Sequence, residues 1–149
     1  MNEQGIITMS ESNRTLALRI ALIATGAIFI FGIYPLSIIW PSGWAWGHGH
    51  SHYLMMILGV YATLGVFLLL ASQDPPAHRS LIWFTVWSSV VHAAIMGMQA
   101  FGDAGERGHL VGDVPALLLV ALVLGLLAPR KASIGKQRTS AEPYQPSAV

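Results

Sequence analysis

Thr85, Ser88, His92, Met96, Gln99 and Asp103 follow one another at steps of 3, 4, 4, 3 and 4. On a helix this spacing puts all six on one face. His92 at the centre can bind, give or take a proton. Gln99 and Asp103 can orient a ligand by hydrogen bonding, and Met96 adds a soft apolar surface. The chemistry on offer is catalysis, proton relay or ligand binding. A plainer role competes with it. Tyr61, with Phe31 or Tyr34, falls at a similar depth, and a neutral histidine bonded to a tyrosine would simply tie helices together for about 0.6 kcal/mol.

A second group could hold a metal. His48, His50 and His52 alternate along Gly47–His52. If helical, His48 and His52 are i, i+4 neighbours; if extended, all three point the same way. His109 and Asp113, one helical turn apart, would complete a set suited to zinc, iron or copper. Met55, Met56 and Met96 would suit cuprous copper. The alternative is a solvated, histidine-rich loop at the headgroup level. Glu106-Arg107-Gly108-His109 spells the Glu-x-x-His motif of di-iron bundles, but it occurs once, and Gly105 and Gly108 put it in a loop, so it reads as coincidence. Haem between two histidines is disfavoured, because His92 and His52 miss a common depth by on the order of 10 Å.

Four apolar stretches must position these residues: 16–40, 52–71, 81–101 and 110–128. A hydrocarbon core of roughly 30 Å takes about 20 helical residues, so each is long enough to cross a bilayer. The composition agrees, with 54% hydrophobic and 10% charged residues in 149, against about 25% charged in soluble domains. A net charge of +1 gives no support for nucleic-acid binding. Cysteine is absent, which excludes disulfides, thiolate metal sites and thiol catalysis. Phosphate-binding loops, nucleophile elbows and paired intramembrane carboxylates are missing too. The N-terminal apolar run exceeds the 7–15 residues of a signal-peptide core and reads as an uncleaved first span.

Charge sets the orientation. Arg14, Arg19, Arg79, Arg130, Lys131, Lys136 and Arg138 fall on one side of a four-pass map, and Arg107 alone on the other. Cytoplasmic loops carry the excess of Lys and Arg, so both termini are expected inside. Arg19 would snorkel to the inner headgroups. Trp40, Trp44 and Trp46 mark the outer interface, and Trp83 and Trp87 the inner one. Pro35 is expected to kink the first span. The tail 129–149 has no apolar periodicity and reads as disordered. His48, His50, His52, Asp103, Glu106, His109 and Asp113 then gather at the outer mouth, with His92 roughly 13 Å below it. An ionisable group at that depth is a functional candidate.

The size, the span count, His48–Tyr53, Ser80–Gln99 with His92, and Gly108–Pro115 together resemble the small four-span bacterial membrane proteins grouped as DoxX-like, most of unknown function. The resemblance implies a four-helix bundle in a bacterial inner membrane. It implies no activity and no catalytic residue.

The sequence therefore leads to an all-α, integral-membrane four-helix bundle, N-in and C-in, with flank 1–15, membrane domain 16–128 and tail 129–149. An outward-facing pocket is expected to bind a small apolar or redox-active ligand or a metal, and whether it also transforms the ligand is left open by the sequence. His92 and Asp103 would be catalytic, Gln99, Met96 and Tyr61 would line the ligand, and His48, His52, His109 and Asp113 would hold copper, iron or zinc. The partners are the lipid bilayer and a second copy or larger membrane complex. The alternatives are a non-catalytic accessory subunit and an oligomeric ion or metal transporter.

Overall fold

The computed structural model of the protein describes residues 11–45 and 51–129. The remainder of the flank 1–15, the tail from 130 onward, and Trp46, His48 and His50 lie outside the described residues. The described residues are helical, with no strand among them. The first long helix comprises α1 (Glu11–Ala27), a π-helical turn (Ile28–Gly32) and α2 (Ile33–Ile39). A short α3 (Pro41–Trp44) follows, then α4 (His52–Ala71), α5 (Arg79–Gly102), a 3₁₀ helix (Ala104–Leu110) and α6 (Asp113–Leu127). Four units, Glu11–Ile39, His52–Ala71, Arg79–Gly102 and Ala104–Leu127, are long and apolar enough to cross a membrane.

Local sequence sets the ends. Pro41 opens α3, where a missing N–H costs nothing. The Ser51 hydroxyl accepts the N–H of Tyr53 at 3.2 Å and caps α4. Pro75 and Pro76 sit in the turn beyond α4, because neither can continue a helix. The π turn lies just ahead of Pro35 and is marked by the Ile33 N–H reaching back five residues to Ile28. Pro35 has no N–H to give and its ring crowds the carbonyl four residues back. The strain expected as a kink thus appears as a one-residue slip in hydrogen-bond register upstream of the proline.

Around the bundle α4 packs on α1, α1 on α6 and α6 on α5, and a sparse α4–α5 edge closes the ring. Gly26 and Gly65 bring α1 and α4 together: a Cβ on Gly26 would lie 2.8 Å from the Gly65 carbonyl oxygen, and one on Gly65 2.7 Å from that of Gly26. Such small-residue contacts let membrane helices approach backbone to backbone. Most of the core, including Leu22, Leu68, Ile82 and Leu124, lies toward the end that carries Arg14, Arg19 and Arg79. A smaller cluster of Ala93, Met96 and Leu117 serves the opposite end.

At the arginine end, side chains close the helix C-termini. Arg14 donates from Nη2 to the carbonyls of Leu126 (3.1 Å) and Ala128 (2.7 Å). Arg79 donates from Nε to Pro129 (2.8 Å), and Arg19 from Nη2 to Gln73 (3.0 Å). The last carbonyls of a helix have no partner within it and carry its negative dipole end, so guanidinium groups suit them. Outer faces expose Phe31, Ile39, Phe101 and Leu126. So much exposed apolar surface on helices of this length suggests a membrane protein.

Candidate ligand site

His92 lies thirteen residues into α5 and ten before its end, on the order of 15–20 Å from either end at 1.5 Å per residue. Tyr61 stands at the matching height of α4. Its Oη is 2.9 Å from Nδ1 of His92, so one hydrogen bond spans the sparse α4–α5 edge. Tyr61 is itself held by Phe29 from the π turn, with ring centroids 4.9 Å apart in an edge-on arrangement. Both Tyr61 and His92 are half-buried.

The six-residue face of α5 changes character along its length. Thr85 is fully buried and its hydroxyl donates to Leu81, while Ser88 donates to Thr85. Both hydroxyls are therefore satisfied within their own helix. Met96 packs against Ala93 and Leu117. Gln99 and Asp103 are exposed. The change follows burial: Thr85 and Met96 are covered by the bundle, and Gln99 and Asp103 are not. Asp103 caps the 3₁₀ helix, its Oδ1 accepting the Gly105 N–H at 2.8 Å, and it has no contact with His92 that would make it a catalytic partner.

Past Asp103 lies a closed polar cluster. His109 is completely buried. Its Nδ1 is 2.8 Å from Asp113 Oδ2, and its Nε2 is 3.2 Å from Glu106 Oε2. The Glu106–His109 contact follows from the 3₁₀ geometry, in which residues i and i+3 eclipse. The segment expected to be a loop is thus a helix, and Glu106, passed over as a coincidental motif, belongs with His109. A neutral imidazole has one N–H, and the contact with hydrogen-bond geometry is the shorter one, between Nδ1 and Asp113. Gly108 and Gly112 press this segment onto the carbonyls of Ser42 and Gly43 so closely that a Cβ at either would collide with them. That contact, with Gly112 as the cap, delays the start of α6 to Asp113 rather than 110.

The structure describes three of the four residues of the expected metal set, His52, His109 and Asp113. His48 lies outside the described residues, and His52 is exposed in the first turn of α4. His109 turns Nδ1 to Asp113 and brings Nε2 to 3.2 Å from Glu106 Oε2. Among the described residues no three His, Asp or Glu side chains are grouped to hold a metal. Two adjoining grooves, of about 230 and 280 Å³, lie between α2 and α4, lined by Tyr34, Met55 and Leu58 together with Ser37 in one and Phe29 in the other. Neither has a histidine or carboxylate on its wall.

Phe29 has no signal in the sequence as Tyr61's neighbour. Phe31 and Tyr34 stand at a similar depth, but both are exposed and point elsewhere, because the π turn shifts the helical phase. No curated protein matches the chain, and no solved structure does. A family model does, over residues 13–143, and it is not that of the DoxX-like proteins. The chain belongs to a family of unknown function, DUF6632.

Proposed function

We propose that this protein spans a membrane four times with both termini cytoplasmic, and that it binds a small lipophilic ligand entering from the bilayer between α4 and α5. The observation that carries this reading is the Tyr61–His92 pair, which sits midway along two apolar helices at their sparsest edge with the histidine half-exposed. A polar ring at such depth is costly in hydrocarbon unless it meets a polar partner. Tyr61 satisfies one nitrogen and leaves the other available. The α2–α4 grooves offer volume and the hydroxyls of Tyr34, Ser37 and Ser51, but no ionisable side chain other than Tyr34. His92 serves as the polar anchor, Tyr61 positions it, and Gln99 lies farther along the same face near the opening. The unequal distribution of Lys and Arg supports the orientation.

Photolabelling in nanodiscs tests the site. A long-chain ketone bearing a diazirine should label α4 and α5 around Tyr61 and His92. His92→Ala should reduce that labelling roughly tenfold, the equivalent of about 1.4 kcal/mol. Equal labelling of the wild type and His92→Ala overturns the proposal and favours an accessory, non-binding role.

A further inference from the structure

The hydrogen bond between Tyr61 and His92 fixes more than a ring position. The Tyr61 hydroxyl has one hydrogen to give, and His92 is its hydrogen-bond partner among the described residues. Were Nδ1 the donor, the phenol hydrogen would be left without an acceptor in a half-buried, apolar setting. Either arrangement leaves one donor over, but a phenol O–H is the more acidic donor and an imidazole nitrogen the stronger acceptor, so O–H···N is the better bond. The donor left over is then a ring N–H that is not enclosed by protein. Tyr61 therefore donates and Nδ1 accepts. A neutral imidazole carries a single N–H, so that hydrogen sits on Nε2. Nε2 makes no hydrogen bond among the described residues, and it is not among the enclosed polar atoms.

Resting on the ligand reading above, we infer that the site recognises a lipophilic carbonyl compound, a ketone or quinone, through an Nε2–H donor that Tyr61 locks on His92. A carbonyl accepts this hydrogen and brings no hydrogen of its own that needs a partner. An alcohol can also accept it, but its own O–H is then stranded in hydrocarbon. An alkane leaves the N–H unpaired. Depth narrows the source. His92 lies on the order of 15 Å from the nearer helix end, whereas the ester carbonyls of bilayer phospholipids sit at the interface, so a freely diffusing molecule fits better than a bilayer lipid.

Two measurements on the full chain in nanodiscs test the inference. Nitrogen-15 NMR of histidine-labelled protein, with the His92 signals assigned by their loss in His92→Gln, should show the proton on Nε2. Tyr61→Phe should give a mixture of both tautomers. In parallel, three diazirine probes of equal chain length, a methyl ketone, the secondary alcohol and the alkane, should label α5 in that order, with about tenfold between the first and last. A proton on Nδ1, or labelling by the alcohol that equals or exceeds labelling by the ketone, overturns carbonyl recognition while the ligand site stands. Equal labelling by all three, or labelling by none, overturns both.

Discussion

At the scale of single residues, two buried histidine pairs separate a ligand site from structural adhesive. His109 has carboxylates at both nitrogens and no exposure, so its work is to hold the end of the bundle together. His109→Ala strands the buried Asp113 and should destabilise the protein by about 3 kcal/mol, as breaking a buried pair does. Glu106 is 24% exposed at its side chain, and Glu106→Ala should cost less than about 1 kcal/mol. Denaturant unfolding in detergent checks both, and equal costs would mean that the pairing is not what matters. Tyr61→Phe should behave differently again. An interhelical hydrogen bond of this kind contributes about 0.6 kcal/mol to stability, so the variant should stay folded while ketone labelling falls by about the fraction of His92 that leaves the Nε2–H tautomer, roughly twofold for an even mixture. Unfolding without selective loss of labelling would make Tyr61–His92 mere adhesive.

At the scale of helices, the close contact of α1 with α4 governs tolerance to substitution. Gly65→Ala puts a methyl group against the Gly26 carbonyl and the Ile30 side chain, an overpacking that should cost about 1–3 kcal/mol. Gly59, six residues earlier on the same helix, has nothing within 4 Å of the added carbon. Gly59→Ala should be neutral or stabilising by up to about 1 kcal/mol through helix propensity. Thermal unfolding of the two variants side by side is the check. The four long apolar helices are legible in the sequence, because hydropathy and span length depend only on local composition. The 3₁₀ segment is not, since Gly105 and Gly108 read as loop residues until Ser42 and Gly43 are brought against them. The same holds for Gln99 and Asp103: periodicity puts them on the face of His92, but their exposure depends on which neighbours cover that part of α5, which no spacing within α5 encodes. Tyr61 and His92 could be matched by depth alone, while the partner from the first helix could not, because the π turn changes its phase.

At the scale of the whole molecule, the absence of cysteine gives a clean test of orientation. A membrane-impermeant maleimide applied to intact cells should label Ala104→Cys, and should label Ala77→Cys only after permeabilisation. Both residues are exposed, so the reverse pattern would overturn the N-in, C-in arrangement. The arginines at one end also imply an order of assembly. Arg19 finds its acceptor at Gln73 once the second helix has been synthesised, but Arg14 and Arg79 must wait for the carbonyls at 126–129. The carbonyls at the end of α6 therefore complete the hold of the first long helix and of α5. A chain halted after α5 would present two guanidinium groups with nothing to grip, a half-made state that quality-control proteases could distinguish from the finished bundle.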